Sequence, residues 1–292
     1  MANQIEELLV SLGICRSEAI VDFHPRVRDR KDISVRRCAH SGVIFLSGVE
    51  HLSESRFEDQ KAFEYWGTED RQRALLTCVD DDRRRAQQFG PIIRSRRWLD
   101  IGTGVGGILE LLAAEASDAW GVEPHPAARA DLQKCGYQVC AQLTDINDKQ
   151  FDVVTLFHVF EHLWNPIEIL QQIADRMASG ATLVVEVPHA NDFLLSFLGL
   201  EAFKEFTLWS EHLILHTRFS LEVFLRTAGF KNITISGYQR YPLANHLYWL
   251  TKQKPGGHRE WSVLRSEELD AAYQAKLCEL DKTDTLIALA TK

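Results

Sequence analysis

The run Trp98-Leu99-Asp100-Ile101-Gly102-Thr103-Gly104-Val105-Gly106-Gly107 restricts the fold of this chain more than any other segment. A short strand, Arg97 to Ile101, carries a carboxylate near its end. Glycines follow at 102, 104 and 106, where backbone can turn sharply and a ligand can approach without meeting a Cβ. Ile108 to Ala116 reads as the next helix, whose first N–H groups have no partner within the helix and face the loop. The pattern then repeats. Ala119 to Val122 is a strand, Pro126 to Cys135 a helix, Gln138 to Ala141 a strand and Phe151 to Leu156 a strand. Pro166 to Ala178 has apolar residues at helical period and is expected to end at Gly180, before the strand Ala181 to Val187. Strands alternating with helices imply a parallel sheet covered on both faces. Ser220 to Thr227 is a further helix, and Asn232 to Gly237 and Thr285 to Ala290 are two late strands. The long stretch between those strands predicts an insertion at about 240–282.

Upstream of this core the chain is polar and irregular, with one strand-like piece at Gly42 to Leu46. A charged helical stretch from about 67 is expected to stop at Gly90-Pro91. The division this suggests is an N-terminal accessory region, 1–66, and a main domain, 67–292. The net charge of -8 argues against general attraction to nucleic acid or to an anionic membrane. No apolar run approaches the ~18 residues of a membrane span. The N-terminus lacks the basic and apolar regions of a signal peptide, so a cytoplasmic setting with reduced thiols is expected. The six cysteines form no CxxC pair, and no metal is expected.

The ligand can be narrowed from two carboxylates. Asp100 stands before the first glycine, where it can pair with an amine. That suits the amino-acid end of S-adenosylmethionine better than a pyrophosphate. Glu123 ends the second strand, and a carboxylate there can accept hydrogen bonds from both ribose hydroxyls. Gly102, Gly104 and Gly107 also satisfy GxGxxG, so a nicotinamide-dependent oxidoreductase stands as the alternative. Past the fourth strand, Phe157-His158-Val159-Phe160-Glu161-His162 places polar groups beyond a strand's carboxyl end, where open α/β sheets bind ligands. His158 to His162 also matches the zinc-peptidase string HxxEH. It leaves a strand directly and lacks the long helix and third ligand of such a site.

In combination, the Asp100–Gly106 loop, Glu123, the Phe151–Pro166 run and Gly180-Ala181-Thr182-Leu183-Val184-Val185-Glu186-Val187-Pro188 resemble the class I S-adenosylmethionine-dependent methyltransferases. Residues 90 to 235 carry the likeness, which is to the bacterial group of ubiquinone-type and sugar C-methyltransferases. It implies a Rossmann-like seven-stranded sheet whose last strand runs antiparallel. It also implies S-adenosyl-L-methionine as cofactor, with contacts from Asp100, Gly102, Thr103, Gly104, Gly106, Glu123, Pro124, Phe157 and His158. Many relatives begin with a zinc ribbon. Cys38-Ala39-His40-Ser41-Gly42 resembles half of one, with Ser41 in a cysteine's place and Cys15 alone. Cys15, His24, Cys38 and His40 are its only candidate ligands, and the reading adopted is a degenerate ribbon held by packing.

On the acceptor side, Trp209-Ser210-Glu211-His212 resembles the Glu-His region of sugar C-methyltransferases. Glu211, His212 and His158 are therefore the candidate catalytic residues, with a histidine as base. Trp209, His216, Arg240, Asn245 and His246 are the candidate acceptor-binding residues. Arg240 suits a phosphate or carboxylate, and the aromatic, amide and imidazole groups suit a sugar or another polar ring. The expected activity is methyl transfer to a small polar acceptor, such as a nucleotide-linked sugar or surface-polysaccharide precursor. A methyltransferase-fold protein that binds the cofactor without turnover is the remaining alternative.

Overall fold

The computed structural model describes residues 3–48, 68, 70–147 and 150–292. The expected boundary at 66–67, and the start of the charged helix with it, lie outside the described residues. After the helix Gln4–Ser11 come three strands, β1 (Ile20–His24), β2 (Val35–Cys38) and β3 (Ile44–Leu46). The main sheet uses β4 (Arg97–Ile101), β5 (Asp118–Val122), β6 (Gln138–Cys140), β7 (Phe151–Phe157) and β8 (Met177–Pro188). A two-residue strand, β9 (Ile214–Leu215), precedes its last members, β10 (Lys231–Tyr238) and β11 (Thr285–Thr291).

The seven-stranded sheet has the order β10-β11-β8-β7-β4-β5-β6. Its inner pairs, β4 with β5 and β7, β5 with β6, and β7 with β8, are parallel. β11 pairs antiparallel with both β8 and β10, as the resemblance implies. The chain order reverses at β4, which departs to β5 on one side and lies beside β7 on the other. That is the switch point at which open α/β sheets form a crevice beyond the strand ends. β4 and β7 are apolar because both faces are covered: Trp98, Leu99, Phe151, Val153, Val154 and Leu156 are all buried.

Three local readings are corrected. The helix expected to stop at Gly90-Pro91 runs Arg71–Ile93 and contains Pro91. A proline in the last turn costs only the bond its missing N–H would make, so the helix continues by three residues. The helix expected to reach Ala178 ends at Arg176, and Gly180 lies within β8, not at a cap. Its left-handed φ of 74° serves an irregularity where β8 gains residues against β7 between Phe151 and Val153. The first core helix is Gly107–Leu112, shorter than expected.

The N-terminal strands join the rest of the chain through a second sheet, ordered β1-β2-β3-β9. β9 comes from the 200s and pairs antiparallel with β3. Leu9, Cys15, Val35 and Phe45 share one apolar cluster with Leu183, Leu215 and Phe224, so this region packs as part of the core. The insertion folds as three helices, Leu243–Lys252, Gly257–Glu260 and Glu267–Glu279, set over the carboxyl ends of the strands. Among the described residues no helix is long and apolar enough to cross a membrane.

Candidate active site

A cavity of about 1560 Å³ opens beyond β4, β5 and β7. Pockets for one small ligand run about 300–1,000 Å³, so this one has room for two molecules side by side. One end is lined by Asp100 to Val105, Val122 to His125 and Phe157 to Val159. The other is lined by Glu161, His162, Trp209, Glu211, His212, Arg240, Asn245 and His246.

The first end is built by the glycine loop. Gly102 has φ 70°, and a Cβ there would stand 2.3 Å from Val159 Cγ2. Only glycine lets the loop pass beneath the start of the segment after β7. Asp100 is 3% exposed, and its Oδ1 accepts a hydrogen bond from Thr155 Oγ1 at 2.6 Å. Trp98 Nε1–H in turn donates to Thr155 Oγ1, and Thr103 Oγ1–H donates to the Asp100 carbonyl. Burial pushes the Asp100 carboxyl up to about 7, although Thr155 and Thr103 hold it down. Glu123 accepts the Gly104 N–H at Oε2 (2.6 Å) and the His125 N–H at Oε1 (2.8 Å). Burial raises its pKa, against those two backbone bonds. Arg129 donates to the carbonyls of Glu123 and Pro124, which fixes the turn after β5. Phe157 packs on Phe89 and lies beneath the Arg85 guanidinium, 4.8 Å from its carbon.

His158 marks the junction of the two ends. It has φ 55°, a conformation uncommon outside glycine, and its N–H is held by the Glu186 carbonyl. Nδ1 lies 3.2 Å from Glu161 Oε1; Nε2 lies 3.1 Å from Arg240 Nη1 and 3.4 Å from Glu186 Oε1. Burial and Arg240 oppose protonation, but the bonds to Glu161 and Glu186 outweigh them, so the pKa lies above the usual histidine value. His212 behaves oppositely. Burial and neighbouring His162 push it down to about 3, so it is neutral across the physiological range and weakly basic. Glu211 reaches the cavity as well, and its carbonyl accepts the Nδ1–H of His162 at 2.8 Å.

On the second side Trp209 stacks under Arg28 and meets His162 and His212 edge to face. Asn245 and His246 lie on the helix Leu243–Lys252. His246 stacks on Phe193, and its Nδ1 is 2.6 Å from the Tyr273 hydroxyl. Arg240 lines the cavity, but its fork is held by Asp81 through Nε and Nη2. A ligand anion there would compete with the protein's own carboxylate. His216 is not at the site. It is fully buried between Phe160 and Phe224, with Nδ1 near Ser220, and it does not line the cavity. Its backbone belongs to the segment that follows β9 into the core, which turns the ring away from the cavity. The expectation that His216 binds the acceptor is therefore corrected: the ring is in the core.

Several wall residues were not singled out from sequence. Arg84 and Arg85 clamp Glu186, and Asp81 and Asp82 line the cavity from the same helix. Asp80-Asp81-Asp82-Arg83-Arg84-Arg85 reads as a solvated charged face until the sheet is known to lie against it. In the N-terminal region Cys15 and Cys38 are both buried, and burial together with Cys38 pushes the Cys15 thiol up to about 12. His24 is committed to the Arg26 carbonyl and Glu201, and His40 is exposed, so the four residues considered there are not gathered as one ligand set.

The arrangement of strands, loop and carboxylates is that of a methyltransferase. Residues 68–235 match the family model described as "Methyltransferase domain", more than half of the chain. The chain belongs to this family. It is 25% identical over 174 residues to a ubiquinone biosynthesis O-methyltransferase of Azoarcus sp., covering 52% of this chain and 71% of that one. It is 27% identical over 158 residues to a tRNA U34 carboxymethyltransferase of Idiomarina loihiensis, covering 49% of this chain. The chain spans 48% of the length of that relative. A crystal structure of a SAM-dependent methyltransferase from Archaeoglobus fulgidus superimposes with a TM-score of 0.53 at 21% identity, covering 79% of this chain and 97% of that one. That likeness is one of fold.

Proposed function

We propose that this chain transfers the methyl group of S-adenosylmethionine to a small polar acceptor, a hydroxylated ring compound such as a nucleotide-linked sugar. The observation that carries the reading is the single cavity joining Asp100, Gly102 and Glu123 to His158, and His158 to Trp209, Asn245 and His246. The cofactor supplies a methyl group already activated on a sulfonium. The protein is left to align the partners and take up a proton. Asp100 holds the ammonium of the amino-acid moiety. Glu123 uses its remaining lone pairs on the ribose hydroxyls, while Gly104 and His125 fix its orientation. Trp209 offers an aromatic face for a ring, with Asn245 and His246 as polar partners. His158 receives the proton at Nε2, with Nδ1–H held by Glu161, and Arg240 gives way to the acceptor there. Product mass decides this. Incubation with labelled cofactor and a panel of nucleotide sugars should give a methylated sugar. Label found only on RNA would overturn the acceptor class.

Binding of the cofactor should be linked to a proton. In the free protein the Asp100 carboxyl titrates at about 7. An ammonium beside it lowers that value, so binding near neutrality releases a proton, and affinity rises with pH up to and through 7. Calorimetry in buffers of different ionisation enthalpy measures the release. Asp100→Asn should abolish it and weaken binding by roughly 1.5–3 kcal/mol, the worth of a charge-assisted bond. Identical proton release in the variant would remove Asp100 from this role.

A further inference from the structure

We infer that Glu161, His162 and His212 form a binding site for one divalent transition-metal ion at the acceptor end of the cavity. One candidate ligand atom from each lies within 4.8 Å of the others, and among the described residues they are the only such group of three. Bonds of about 2.1 Å to each in a tetrahedral arrangement would draw these atoms to roughly 3.4 Å of one another, which the side chains reach by rotating inward.

Three further observations point to a ligand. Glu161 is 1% exposed, and while Oε1 faces His158, its Oε2 is buried with no hydrogen-bond partner. His212 Nδ1 is likewise buried without a partner. Buried polar atoms are nearly always satisfied, so two orphans in one cluster mark a missing partner. The third is the orientation of His162. Its Nδ1–H is donated to the Glu211 carbonyl, which fixes the tautomer and turns the Nε2 lone pair toward Glu161, 3.8 Å away. A carbonyl holding the far nitrogen is how metal-binding imidazoles are oriented.

Two imidazoles and a carboxylate favour zinc, cobalt or iron(II) over magnesium or calcium, which take oxygen ligands. Three protein ligands leave a position open to the cavity, where an acceptor oxygen would be polarised and its proton made easier for His158 to take. That use of the ion rests on the methyl-transfer reading, whereas its binding does not.

The test uses the full chain, stripped with chelator and titrated with Co²⁺ without cofactor. One equivalent should bind, giving visible d–d bands and no thiolate charge-transfer band, and Zn²⁺ should bleach it. His162→Gln and, separately, His212→Gln should each weaken binding by roughly 100-fold or more, with circular dichroism confirming the fold. Cys38→Ser should bind as the wild type does. Absence of Co²⁺ binding, binding unchanged in both folded histidine variants, or binding lost in Cys38→Ser would overturn the inference. Co²⁺ uptake without methyl transfer to any acceptor would leave the site standing and remove the proposed reaction. Methyl transfer by a chain that takes up no Co²⁺ would do the reverse.

Discussion

Glu186→Ala should destabilise the protein by about 3–5 kcal/mol, the cost of stranding buried charge when one partner of an ion pair is removed. Glu186 is fully buried near the end of β8, and it is the shared anion for two arginines. Arg84 reaches it through Nη1 at 2.6 Å and Nη2 at 2.8 Å, and Arg85 through Nη2 at 2.7 Å and Nε at 3.1 Å. Burial works against its ionisation, yet Arg85, Arg84 and His158 hold its pKa well below the usual carboxylate range. Without it, two guanidinium groups face the sheet with Asp81 and Asp82 as the nearest anions, each 3 to 4 Å from only one of them. Thermal denaturation should show a fall in Tm on the order of 10 °C. Glu186→Gln keeps the shape and removes the charge, and it should lose most of the same stability. An unchanged Tm in both variants would mean that the helix Arg71–Ile93 is held to the sheet by apolar contacts alone.

His158→Ala should lower turnover by ~10²–10⁴-fold while leaving cofactor affinity nearly unchanged, which is the signature of a general base. The alternative base, His212, should respond differently, because its low pKa makes it a poor proton acceptor. The pH profile gives an independent check. A base must be unprotonated to act, so the rate rises with pH through its pKa. For His158 that limb should lie above the ordinary histidine value of 6.5. If the acceptor arrives ionised, or gives its proton to water, His158→Ala would retain near-normal rates at saturating substrate. Alignment in the cavity would then account for the catalysis.

The parts of this site legible in the sequence are those with a local cause. Asp100 and Glu123 stand at strand ends beside a glycine turn, and strand ends are where this architecture places ligands. The order of β4 to β8 could be read because each strand is a short apolar run between breakers. The antiparallel β11 came from the family likeness, since nothing within a single strand records its direction. Other features depend on contacts between distant segments. β9 is two residues long and exists because β3 has a free edge, so no periodicity announces it. The charged face of Arg71–Ile93 looks solvated in sequence, yet it covers the mouth of the sheet and meets a buried carboxylate 100 residues away. His216 misled for the opposite reason. It lies four residues from His212, but β9 and the turn after it carry it into the core. Glu161 and His162 share one short string, but His212, which the fold brings beside them, lies 50 residues further on, so no local spacing shows the cluster.

Methyl transfer by this chain requires the cavity end formed by Asp100, the glycine loop and Glu123 to be a site for S-adenosylmethionine. Equilibrium titration of the protein and of Glu123→Ala with S-adenosylhomocysteine, and in parallel with NAD, tests this most directly. One equivalent of S-adenosylhomocysteine should bind the wild type. Binding should be weaker in the folded Glu123→Ala variant by roughly 10- to 100-fold, the worth of charge-assisted bonds to the ribose, and NAD should not compete. Saturable NAD binding with no uptake of S-adenosylhomocysteine, or equal affinity in the variant, would contradict it.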